Sequence, residues 1–250
     1  MMKVLRSLAW LIAAAVALSA GGCGSREPSS APAAREPQAR RTVPPFPIKP
    51  GEAPPDHPAV AGGPRIVILG DSLTAGLGLH ADAAYPSLLQ ERLRADGLDY
   101  AVVNAGVSGD TSADALSRLD WALQGDVRVL VVALGGNDAL RGLPVDQLQQ
   151  NLAQIIERAQ SRGMEVILAG MEAPPNYGRD YIVAFHMVYP ALAAKYRVAL
   201  VPFLLQGVAG DETLNQRDGI HPTAAGARIV ADNVWAVLKP VAEARRRPIT

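Results

Sequence analysis

The chain has 250 residues, 24 basic and 24 acidic, so its formal net charge is zero. That balance supplies no electrostatic footprint for nucleic acid or for a strongly acidic partner. An apolar content of 49% with 5% aromatics suits one globular α/β domain carrying extra segments. The single Cys excludes an internal disulfide and any multi-Cys zinc site. His57, His80, His186 and His221 form no H-x-x-x-H or H-E-x-x-H pattern, so neither a metal nor another cofactor is expected.

Lys3 and Arg6 precede an apolar run over residues 8–18, too short for a permanent membrane span. Ser19, Ala20, Gly21 and Gly22 then supply the small residues that a peptidase groove requires, and Cys23 follows at once. Residues 1–22 therefore read as a signal peptide. The stretch resembles a bacterial lipoprotein signal, in which Cys23 is lipidated and becomes the new N-terminus. Ala20 stands where that signal prefers Leu, and an ordinary secretory signal is the alternative. Residues 23–64 hold eleven of the chain's twenty prolines and cannot continue a helix or pair in a sheet. A Pro-rich chain rises about 3.1 Å per residue, so this segment reads as a tether holding a domain off a membrane. Gly24, rather than Asp, follows Cys23. For lipoproteins of this kind that implies the periplasmic face of the outer membrane, and a plain secretory signal implies the periplasm.

The folded domain is expected over 65–240, with 241–250 a basic, solvated tail. Residues 65–70 form a first strand that runs into Gly70-Asp71-Ser72. Helix is predicted over 86–95, with Pro86 in its first turn and Gly97 beyond its end. A second strand spans 100–104. Asp110 reads as the cap of a helix carrying Ala115, Leu116, Leu119 and Leu123. The unbroken apolar run over 127–134 is a central strand buried on both faces. Pro144 opens a helix whose Leu148, Leu152, Ile155, Ile156 and Ala159 recur at helical spacing. Strand 165–169, a helix over 181–196 kinked at Pro190, and strand 199–203 follow. Residues 222–238 form the last helix.

Strand and helix alternating over about 175 residues imply one parallel sheet with helices on both faces. In that architecture the loops leaving the strand C-termini converge on one rim. Four such loops are polar and carry Ser72, Gly109, Asn137 and residues 172–180. Ser72 is a nucleophile or a helix cap, and its partners decide which. Asp218 and His221, three apart, can share a turn. The carboxylate then binds one ring nitrogen and leaves the other for the Ser. Asn137 and the backbone N–H of Gly109 are candidate donors to an oxyanion. Asp71, Asp110 and Asp138 read as loop-holding residues. His80 and His186 are weaker bases: only Asp82 stands near His80, and His186 lies mid-helix among Phe185, Met187 and Val188, as packing residues do.

Gly70 to Leu73 (GDSL), Ser108 to Thr111 (SGDT), Gly135 to Asp138 (GGND) and Asp218 to Pro222 (DGIHP) together resemble, in order and spacing, the four blocks of the SGNH/GDSL hydrolases. Residues 174–179 are similar to a stretch of the bacterial multifunctional thioesterase/lysophospholipase/arylesterase subgroup. The resemblance implies a three-layer α/β/α, flavodoxin-like fold around a five-stranded parallel sheet. It also implies Ser72 as nucleophile, His221 as base, Asp218 as its orienter, and an oxyanion hole from Ser72 N–H, Gly109 N–H and Asn137. Thr74 stands where the G-x-S-x-G elbow of α/β-hydrolases needs Gly. The expected activity is hydrolysis of acyl esters or thioesters, lysophospholipids included, by a monomer. An O-acetylesterase of envelope glycans and a catalytically idle lipid- or partner-binding lipoprotein are the alternatives.

Overall fold

Ile66, Val67, Ile68 and Leu69 are fully buried on strand β1 (Arg65–Gly70) in the computed structural model, which describes residues 63–245. A strand covered on both faces needs helices above and below it. The sheet that supplies this context has five strands, in the order β2-β1-β3-β4-β5, all parallel. The others are β2 (Ala101–Gly106), β3 (Val127–Ala133), β4 (Glu165–Ala169) and β5 (Ala199–Val201).

The chain first steps from β1 outward to β2, then crosses back over β1 and runs β3, β4, β5 in one direction. Right-handed crossovers therefore place the β1–β2 connection on one face and the later connections on the other. The first carries the short α1 (Ser72–Ala75) and α2 (Tyr85–Ala95). The later ones carry α3 (Ser112–Ser117), α4 (Leu119–Ala122), α5 (Gly136–Leu140), α6 (Val145–Ser161) and α7 (Arg179–Tyr196). The last helix, α8 (Ala224–Ala244), packs back against α2. The strand order reverses between β1 and β3, where an open α/β sheet places its ligand. Register sharpens this: Gly70 is level with Gly106 on β2 and Ala133 on β3. Three loops thus leave the sheet side by side.

Predicted and observed elements differ mainly at their ends. On α6 the buried residues are the five expected from periodicity. Thr111, not Asp110, caps α3, in a reciprocal capping box with Asp114. Asp110 is instead held by Arg118. β5 stops at Val201 because Pro202 has no N–H for the ladder. Pro222 sits in an isolated bridge with Asn215, and Thr223 caps α8 through the N–H of Gly226. α8 runs on to Ala244 with Ala242 buried, and Arg245 pairs with Glu165. Residues 241–245 therefore belong to the domain, not to a solvated tail. Pro190 lies within the unbroken α7. The signal peptide, Cys23 and the tether lie outside the described residues.

Candidate active site

β1 ends at Gly70, where a Cβ would fall 2.0 Å from Thr74 Oγ1, so the turn into α1 is too tight for any side chain. Asp71 then caps α1, its Oδ1 accepting the N–H of Leu73 at 3.0 Å. The capping role offered as an alternative for Ser72 thus belongs to its neighbour. Ser72 is the first residue of the helix, and its N–H is one of the orphan donors of a first turn.

Across the rim, His221 Nε2 lies 2.8 Å from Ser72 Oγ. His221 Nδ1 lies 2.7 Å from Asp218 Oδ2. An ionised carboxylate only accepts, so Nδ1 carries the proton and Nε2 is left to accept from the Ser hydroxyl. Asp218 Oδ1 also accepts the N–H groups of His221 (3.0 Å) and Ile220 (2.9 Å). These two backbone donors, then the imidazole, hold the Asp218 carboxyl down at about 2. The two readings of Asp218, turn residue and His partner, are therefore both met, one by each oxygen. Gln216 joins this loop to the segment that follows Ser72, its N–H binding His221 O at 2.7 Å and its Nε2 binding Leu77 O at 2.7 Å.

Gly109 follows β2 with φ +88°, a left-handed turn that favours glycine. Its carbonyl accepts from Arg141 Nη2 at 2.6 Å. Asn137 lies on α5 after β3. Its Nδ2 donates to Asp110 O at 2.9 Å and, more weakly, to Asp71 Oδ2 at 3.3 Å. Asp138 locks α5 to α3 by accepting from Ser112 N–H (2.9 Å) and Ser112 Oγ (2.6 Å). The three acids read from sequence as loop-holding do hold loops. Burial pushes the Asp71 carboxyl up to about 6, against the opposing pull of the Leu73 N–H and His221. Burial likewise raises Asp110, with Arg118 pulling it down.

Ser72, Asn137 and His221 line a cavity of about 470 Å³. Its wall is mostly apolar, with Leu140, Met171, Pro174, Phe203, Leu205 and Ile220 contributing. Glu172 adds a charge to the same wall.

Among the described residues, neither His80 nor His186 lines this cavity. His80 precedes a short 3₁₀ turn, Ala81–Ala83, and makes no capping bond there. His186 is exposed and pairs with Glu172 Oε1 at 2.6 Å, so it is not the packing residue its neighbours suggested. Phe185 and Val188 face inward on α7 and leave position 186 on the outer side. Arg118 and Arg141 were not singled out from the sequence. No sequence signal marks either one, since an Arg in or beside a short helical stretch reads as surface.

Residues 68–229 match the GDSL-like lipase/acylhydrolase family. The chain is 49% identical over 182 residues to the esterase TesA of Pseudomonas aeruginosa, an alignment covering 72% of this chain and 90% of that protein. It is 40% identical over 182 residues to thioesterase 1/protease 1/lysophospholipase L1 of Escherichia coli K12, covering 72% and 86%. The crystal structure of TesA superposes with a TM-score of 0.68 at 49% identity, covering 71% of this chain and 99% of that one.

Proposed function

The chain belongs to the GDSL-like lipase/acylhydrolase family and is an ester hydrolase of the GDSL type, and we propose that it works through an acyl-enzyme on Ser72 with medium- or long-chain acyl esters and thioesters as substrates. The observation that carries this reading is the line of hydrogen bonds Ser72–His221–Asp218 at the edge of an apolar cavity.

The chemistry follows from that line. Ser72 Oγ attacks the acyl carbonyl as His221 Nε2 takes its proton. Asp218 keeps the Nδ1 proton in place and stabilises the imidazolium. The carbonyl oxygen becomes an oxyanion, bound by the N–H groups of Ser72 and Gly109 and by Asn137 Nδ2. In the free enzyme Asn137's longer bond, to Asp71 Oδ2, is the one that yields to the oxyanion. Collapse breaks the bond to the alcohol or thiol, which leaves with the proton from His221. Water then repeats the sequence on the acyl-enzyme, releasing a carboxylic acid and restoring Ser72.

An acetyl group has little use for a cavity of about 470 Å³. An alkyl chain gains about 0.8 kcal/mol for each methylene it buries there. On p-nitrophenyl esters from acetate to palmitate, kcat/KM is expected to rise up to about fourfold per methylene until the cavity is full. A maximum at acetate would instead favour the O-acetylesterase reading, and no hydrolysis at any length the idle lipoprotein. The location that goes with this reading is the cell envelope, where lysophospholipids lie. The signal-like residues 1–22, the lone Cys23 and the Pro-rich segment after it support a lipid anchor with a stand-off tether.

A further inference from the structure

We infer that Arg118 is a positioning residue, clamping the loop of the nucleophile to the loop of the oxyanion donors. The inference rests on the oxyanion hole proposed above. Arg118 lies on neither loop. It stands at the junction of α3 and α4, and its guanidinium reaches both loops at once. Nη2 donates to the carbonyl of Gly70 at 3.0 Å, two residues before Ser72. Nε donates to Asp110 Oδ2 at 2.6 Å, one residue after Gly109. The backbone carbonyl of the same Asp110 accepts from Asn137 Nδ2 at 2.9 Å. One planar group therefore connects the segments that bear all three proposed donors: Ser72 N–H, Gly109 N–H and Asn137 Nδ2.

Two observations separate this from ordinary loop packing. The pair is largely removed from water, with the Arg118 side chain 17% exposed and that of Asp110 8%. A buried ion pair adds little stability over an apolar substitute, so its geometry is the better reason for its presence. The pairing is also incomplete: Arg118 Nη1 is buried with no hydrogen-bond partner among the described residues. A guanidinium kept in place with one nitrogen unsatisfied makes the bonds of the other two the feature to explain. Both bonds need the fixed fork of Arg, and a Lys ammonium can satisfy Asp110 while leaving Gly70 O to the Val107 N–H that already binds it at 3.1 Å.

Displacing an oxyanion donor weakens transition-state binding without touching ground-state binding. The experiment measures kcat and KM on a p-nitrophenyl ester for Arg118→Met, Arg118→Lys and Asn137→Ala. It adds inhibition constants for a trifluoromethyl ketone, which mimics the tetrahedral state, and for the product fatty acid. For Arg118→Met, kcat is expected to fall on the order of a hundred-fold with KM nearly unchanged, as for a misplacement of about 1 Å. Ketone affinity should fall in parallel, fatty-acid affinity should hold, and Arg118→Lys should recover part of the loss. If Arg118→Met yields no folded protein, Arg118→Lys decides alone, with kcat reduced at unchanged KM as the expected result. Arg118 variants that melt earlier yet keep wild-type kcat and ketone affinity overturn the clamp, provided Asn137→Ala loses about a hundred-fold. If Asn137→Ala also keeps its kcat, the oxyanion hole reading falls and the clamp falls with it.

Discussion

Asp71 carries more than its place beside Ser72 suggests. It caps α1 with one oxygen and meets Asn137 with the other, and at 3% exposure its carboxyl is pushed up to about 6. A carboxyl raised on folding binds its proton more tightly in the native state than in the unfolded chain. Its contribution to stability is therefore present below the unfolded value of 3.8 and is lost as pH rises through about 6. A shift of this size corresponds to a change on the order of 3 kcal/mol across that window. Asp71→Asn keeps an acceptor for Leu73 N–H and sets an NH₂ against Asn137, an offset that does not vary with pH. Urea melts across the window should show wild type losing stability relative to Asp71→Asn as pH rises. Parallel curves would contradict the buried, titrating carboxyl. Asp218 behaves oppositely, since its depressed carboxyl stays ionised until pH falls towards about 2. At the residue scale the side chains that meet at the candidate site, Ser72, His221 and Asp218, are legible because reactivity needs particular residue types. Arg118 was not, because an Arg in a helical stretch looks like surface until the fold shows that its head reaches Gly70 O.

At the scale of elements, legibility followed period and punctuation. β3 and α6 were clear because an unbroken β-branched run and a 3.6-residue stripe each have one reading at those lengths. α1 and α5 were not expected. At four and five residues they are too short for periodicity, and their place is fixed by Asp71 at one and by the positive φ of Gly135 at the other. These two short helices carry Ser72 and Asn137, so the least periodic elements position the site. The C-cap of α8 was missed because Pro240 suggests an end, yet the helix continues through it to bury Ala242. The strand order places β1 in the sheet's interior, between β2 and β3, and the level ends of these three strands gather the loops that carry Gly109, Ser72 and Asn137. Loop identity then converts a common α/β layout into an ester-hydrolase rim.

At the scale of the whole molecule, the anchor is a proposal separate from the chemistry, and fractionation tests it. Wild type is expected in the membrane fraction and Cys23→Ser in the soluble fraction, since two or three acyl chains hold where one does not. Wild type found wholly in the soluble periplasmic fraction would leave a plain secretory signal in its place. Neither outcome touches the chemistry, whose central claim is a covalent acyl-enzyme on Ser72. The measurement that meets that claim most directly is reaction with a fluorophosphonate, followed by intact-mass and peptide mass spectrometry. We predict a single phosphonyl group per chain, carried on the peptide that contains Ser72. Ser72→Ala should take up no label and lose turnover on the order of a million-fold while remaining folded. A label borne on another residue, or folded Ser72→Ala hydrolysing esters within about tenfold of wild type, would contradict the account.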